Sequence, residues 1–142
     1  MTVFVDAEGA VKEWVNSVPG LTGQGNPISL GAHLKLLRSP ASGSYIHLLL
    51  LTGSPELTAE NPVGRARIAG VIYGGTKEAA SKGAIAYANN LTTLNGARTP
   101  MGANAVCLVA DNITGPQAID DQSTDRNQYR YQVDADLYFT TP

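Results

Sequence analysis

The chain has 142 residues, 43% of them apolar and 15% charged, with ten Lys and Arg against twelve Asp and Glu for a net charge of −2. That is the length of one ordinary domain, 1–142, able to bury roughly two-thirds of its unfolded surface without disulfides or metals. The charge balance lacks the clustered cations of a tight nucleic-acid binder, one cysteine excludes an internal disulfide framework, and no window reaches the ~20 apolar residues of a membrane-spanning helix.

The opening residues, MTVFVDAEG, carry no basic segment followed by a long apolar one, so the protein is expected in the cytoplasm where it is made. The sequons at Asn90 and Asn112 are then not expected to be glycosylated. Asp6 is a suitable N-cap, and Ala7, Ala10, Val11, Trp14, Val15 and Val18 recur at spacings of three and four, which predicts a helix from about Asp6 to Ser17. Pro19-Gly20 ends it, and the residues up to Ser29 read as an irregular connection. The runs His33–Leu37 and Tyr45–Leu51, joined by Ser39-Pro40-Ala41-Ser42-Gly43, predict a hairpin. The apolar run Leu48–Leu51 predicts a strand covered on both faces, or one whose second face meets a neighbouring subunit.

Gly53–Asn61 breaks the pattern with Gly, Pro and two glutamates and reads as a loop. A strand follows in which Arg65, Arg67 and Ala69 fall on one face and Ala66, Ile68 and Gly70 on the other. After Gly74-Gly75-Thr76, a helix carries Ala79, Ala80, Gly83, Ala84, Tyr87, Ala88, Leu91 and Leu94 on one stripe and ends at Asn95-Gly96. Its small residues favour close packing on a sheet. Arg98–Ala103 reads as a loop and Ala105–Ala110 as a strand continuing towards Pro116, in which Cys107 is expected as a small buried thiol. The last strand is the clearest: Tyr129, Tyr131, Val133, Ala135, Leu137 and Phe139 share a core face, and Arg130, Gln132, Asp134, Asp136 and Tyr138 share a wet one. The order predicts an α+β fold: a mixed, mostly antiparallel sheet of four to five strands with two helices packed on one face.

Little in the chain points to catalysis. Gly74-Gly75-Thr76 between strand and helix has the physics of an anion site, but lacks the spacing of a P-loop or of a dinucleotide-binding turn. Asp120, Asp121 and Asp125 do not follow a calcium-loop pattern, and His33 and His47 have no second His or Cys at ligand spacing in sequence. No Ser or Cys sits in an arrangement that recommends it as a nucleophile. No enzymatic activity, cofactor or metal is expected.

Three segments, VFVDAEGAVKEWVNS, GRARIAGVIYGGTKEAASKGAIAYANNL and DRNQYRYQVDADLYFT, together resemble the tail terminator proteins of long-tailed (siphovirus) phages, particularly those infecting actinobacteria, and more remotely the minor tail protein U of lambdoid phages. The likeness spans nearly the whole chain and lies in segment order and character; the loops 20–31 and 97–104 depart from many members. It implies an α+β subunit of the virion tail that forms a homo-hexamer ring on the head-proximal end of the tail tube. That ring stops tube polymerisation and gives a head–tail connector or stopper protein a surface to join, with DNA present only as the genome passing through the lumen and with no membrane involved. A neck or head-completion connector protein is the nearest alternative. A small ligand-binding domain with an anion site at Gly74-Gly75-Thr76 is the alternative from another class.

A cyclic ring needs two different, matching surfaces on each subunit. The strand candidates are Tyr45, His47 and Leu49 in one strand and Asp134 and Asp136 in the last. Arg65 and Arg67 are expected to pair with acidic residues of the next subunit, the alternative being that they are simply solvated on a sheet face, and Glu56 and Glu60 to reach the tail tube from their loop.

Overall fold

Asp6 starts the first helix of the computed structural model, which describes residues 3–18, 21, 30–33, 44–53, 56–119 and 129–142. A two-residue strand, β1 (Val3–Phe4), leads into helix α1 (Ala7–Ser17), where Asp6 Oδ1 accepts the Gly9 N–H at 3.0 Å. The expected stripe is the buried one: Ala7, Ala10, Val11, Trp14 and Val15 all face inward. The strands that follow are β2 (Leu30–His33), β3 (Ser44–Thr52), β4 (Glu56–Leu57) and β5 (Gly64–Gly74). Helix α2 (Lys77–Thr92) comes next, then β6 (Thr99–Pro100), β7 (Val106–Ile119) and β8 (Tyr129–Thr140).

Six strands form one sheet in the order β2-β3-β5-β8-β7-β6, and β1 and β4 form a separate antiparallel ribbon. Every pairing is antiparallel except β2 with β3. Both helices pack on the same face. Their buried residues join Ile46, Leu48, Ala66, Ile68, Ile72, Val133, Ala135, Leu137 and Phe139 in one core. The α+β reading with a mostly antiparallel sheet and helices on one side therefore holds, with the short β2 and β6 extending the sheet beyond four to five strands.

Four expectations are corrected. The described segment preceding Ser44–His47 is not an antiparallel hairpin partner: β2, at 30–33, pairs with β3 in parallel, Leu30 opposite Ser44 and His33 opposite His47, and the rest of the expected hairpin falls outside the described residues. Residues 34–43 and the carboxylates Asp120, Asp121 and Asp125 lie outside the described residues. Gly53–Asn61 is not all loop, because Glu56 and Leu57 pair with Phe4 and Val3, burying Leu57 in the core. Thr99 and Pro100, also expected in a loop, pair with Cys107 and Val106. Of the two expectations for the end of β3, cover on both faces within the chain is not met, since Leu49, Leu50 and Leu51 remain 36–47% exposed, while cover by a neighbouring subunit is untouched by this.

Two glycines set the distance between sheet and α2. A Cβ on Gly74 would stand 2.7 Å from Ala80 N and 3.0 Å from its Cα, so the strand passes against the helix backbone there. A Cβ on Gly70 would stand 2.7 Å from Tyr87 Cε2, because the Tyr87 ring lies on the bare backbone of β5. Tyr87 also meets Trp14 of α1, centroid to centroid 6.4 Å, and so ties the two helices together over the middle of the sheet.

Candidate functional site

The residues of interest stand on the face of the sheet away from the helices. Side chains alternate along a strand, so one register places a whole set on that side. Across β3 and β5, Tyr45 is opposite Tyr73, His47 opposite Val71 and Leu49 opposite Ala69. Across β5 and β8, Arg65 is opposite Tyr138, Arg67 opposite Asp136, Ala69 opposite Asp134 and Tyr73 opposite Arg130. Seven of the nine expected interface residues, Tyr45, His47, Leu49, Arg65, Arg67, Asp134 and Asp136, thus share one surface. Glu56 and Glu60 do not: Glu56 is exposed on the β1–β4 ribbon and Glu60 is exposed in the turn after it.

This face has two regions. At one end the rings of Tyr45 and Tyr73 stack with centroids 4.7 Å apart and 5° between planes. The Arg130 guanidinium stands 5.9 Å from the Tyr73 centroid, within range of a cation–π contact. Val71 and Ile119 complete this small apolar cluster, which is separate from the main core among the described residues.

The middle is polar and organised by a bulge. The β7–β8 register shifts between Asp111 and Thr114, and Asn112 takes a positive φ of 48° that Asn tolerates better than most residues. Turned this way, Asn112 Nδ2 donates to Asp136 Oδ2 at 2.8 Å while its carbonyl accepts from Arg67 Nη1 at 3.3 Å. Arg67 Nη1 also donates to Asp136 Oδ1 at 3.2 Å, and Nη2 donates to Thr114 Oγ1 at 3.2 Å. The Asn112 hydrogen bond holds the Asp136 carboxyl below the usual carboxylate range; the Arg67 bond and charge and the Arg65 charge add to this, against the opposing effect of burial. Gln132 Nε2 donates to both carboxylate oxygens of Asp134, at 2.9 and 3.1 Å.

Two expectations change here. Arg67 finds its acidic partner inside its own chain, because β5 and β8 are register neighbours and the bulge supplies the remaining acceptors. Asp136, expected on a wet face, is buried under that network at 7% exposure. Neither was visible from alternation alone, since the β7 bulge is not encoded in the period of β8. The register of His33 opposite His47 was missed for a similar reason: nothing local announces a parallel neighbour.

Elsewhere the geometry explains residues without invoking a ligand. Thr76 caps α2, its Oγ1 accepting the Ala79 N–H at 3.1 Å, and Gly74 is required by the contact with Ala80. Glu78, in the first turn of that helix, is held below its usual pKa by the hydrogen bond and charge of Lys82, 2.8 Å away. Cys107 is fully buried, and burial pushes its thiol up to about 11, which makes it a poor nucleophile at neutral pH. Among the described residues, no three His, Cys, Asp or Glu side chains are grouped to hold a metal ion, and no helix is long and apolar enough to cross a membrane. Comparison of the chain with protein-family models finds no match, and comparison with curated proteins finds none either.

Proposed function

We propose that the chain is a tail terminator of a long-tailed phage. It is a structural protein whose copies form a homo-hexamer ring on the head-proximal end of the tail tube, stop tube polymerisation and present the surface to which the head–tail connector binds. The resemblance of three segments to that family motivates the reading. The structural observation that supports it best is the one-sided placement of both helices, which leaves the opposite sheet face with a half-exposed Leu49, an aromatic stack and a rigid polar network.

A ring closes through heterologous contacts, in which one surface of a subunit meets a different surface of the next. The open face supplies such a surface at low ordering cost, because Arg67, Asp136 and Asn112 already hold one another and lose little freedom on contact. Activity is steric: an occupied tube end offers no site to the next tube subunit. Arg67 is committed to Asp136 and Arg130 stands over Tyr73, which limits the free cations of that face available to hold passing phosphates.

The direct test adds the purified protein to polymerising tail tubes and images the products by electron microscopy. The reading expects density at one end of each tube and arrested growth; uniform decoration along the tube walls, or unimpeded growth, refutes it.

A further inference from the structure

Exposed apolar side chains gather at one end of this subunit. That end is fixed by three connections: Thr52 pairs with Arg67 where β3 leaves and β5 enters, Thr140 Oγ1 donates to Pro62 O at 2.9 Å, and Glu8 Oε2 accepts the Leu50 N–H at 2.9 Å. The last contact fastens the first turn of α1 to the irregular end of β3, while the β1–β4 ribbon runs just ahead of α1. Of the eight large apolar side chains left exposed among the described residues, Val3, Phe4, Leu49, Leu50, Leu51 and Val63 belong to these elements. Phe4 is 68% and Leu51 47% exposed. The opposite end of the sheet carries only Tyr129 of that set, and Ile85 is alone on α2.

Beside this apolar group opens a groove of about 520 Å³ between β1, the first turns of α1, residues 101–105 and residues 141–142. Its acidic side chains are Asp6 and Glu13, with Glu13 lying against Gly102. Glu8, Glu56 and Glu60 add three more carboxylates on the same elements, whereas the described cations of those elements are Lys12, Arg65 and Arg67, the last paired with Asp136. An apolar patch bordered by polar residues marks an interaction surface, and an excess of one charge sign at its border selects a partner of the other sign.

We propose that this end of the subunit docks on the terminal ring of the tail tube, and that the tube surface it takes presents apolar side chains bordered by lysine or arginine. The inference rests on the tail-terminator reading and adds to it the location and chemistry of the contact. Phe4 and Leu51 are the apolar anchors. Glu56 and Glu60 are border charges that quicken capture and make it salt-sensitive.

The test measures co-sedimentation of the full chain with purified tail tubes at low and high salt. Wild type is compared with the doubly substituted Phe4→Ser/Leu51→Ser, with Glu56→Lys/Glu60→Lys and, as a control, with Ile85→Ser. Thermal melting of each variant checks folding; Glu56 and Glu60 are exposed, so the charge variant tests the proposal even if the apolar variant unfolds. The expected result is a loss of tube affinity of about tenfold or more in both end variants, the scale of removing an interface anchor. The Ile85→Ser protein is expected to bind as wild type, and wild-type binding to weaken with salt. If wild type sediments with tubes and both end variants do so equally well, the docking end is elsewhere and this inference falls while the function stands. If the end variants bind tubes but lose self-association, the patch is covered by a second copy and the inference is overturned. If wild type binds no tube end, both the function and the inference are wrong.

Discussion

The two faces of the six-stranded sheet are built from the same strands but by different means. On the helix side, alternate residues of β3, β5 and β8 are apolar and fully covered, and glycines at 70 and 74 let α2 descend onto the strands. On the other side, Tyr45, Ala69, Val71, Tyr73 and Asp136 are buried too, Leu49 and Arg65 are exposed, and polar pairs set by register and by the β7 bulge hold the surface in one shape. Stability resides mainly in the first face, and the second offers contact through its exposed Leu49 and Arg65. Mutations on the two faces should therefore separate folding from assembly.

The largest effect is expected from Phe139→Ala, which empties a fully buried site under the helices. Chemical denaturation should show a loss of about 3–5 kcal/mol, and a loss below 1 kcal/mol would mean that this face is not the core. Next comes Gly74→Ala. Its new methyl meets helix backbone that cannot rotate aside, so a cost of about 1–3 kcal/mol is expected in the same assay.

On the open face, Arg67→Met should cost about 1–3 kcal/mol at neutral pH, because Asp136 keeps its charge and loses a partner. The pH dependence has a defined sign. The folded Asp136 carboxyl titrates below its unfolded value, so its contribution is complete above the unfolded carboxylate range and disappears as pH falls through the folded value. Thermal melts across acid pH should therefore drop less steeply for Asp136→Asn than for wild type. An identical acid slope in the two proteins contradicts the network.

Tyr87→Phe sharpens the comparison from the core side. The Tyr87 hydroxyl is fully buried and has no hydrogen-bond partner among the described residues, and burial raises its pKa far above the ordinary phenol value. Removing it should leave stability unchanged or raise it by about 1 kcal/mol; a clear loss would reveal a partner for that oxygen. The smallest effect on folding is expected from Leu49→Ser, within about 0.5 kcal/mol because the side chain is already 36% exposed. Ring formation on tubes, followed by electron microscopy, should nevertheless fail for it. Normal rings would remove Leu49 from the interface.

Elements with a strong period were legible in the sequence. Asp6 and Thr76 announced both helix starts, the stripes of α1 and α2 named their buried residues, and the alternation of β8 separated core from surface except at Asp136, which is buried, and Tyr129, expected on the core face but 46% exposed. What was not legible depends on partners distant in the chain. Two-residue strands such as Glu56–Leu57 and Thr99–Pro100 have no period to detect, and the parallel pairing of β2 follows from register against β3 and not from any turn signal. The open face was legible as a set of candidates, since Tyr45, His47, Leu49, Arg65 and Arg67 alternate in their strands. That Arg67 and Asp136 would satisfy each other required the β5–β8 register and the positive φ of Asn112, neither of which a local pattern contains.

The central claim is that this protein acts by occupying the end of a growing cylinder. Its most direct test is the length distribution of tails, measured by electron microscopy, in phage particles made with and without an intact copy of this chain. The account predicts overlong tails of variable length, unjoined to heads, when the protein is missing; tails of normal, uniform length that still carry heads would contradict it.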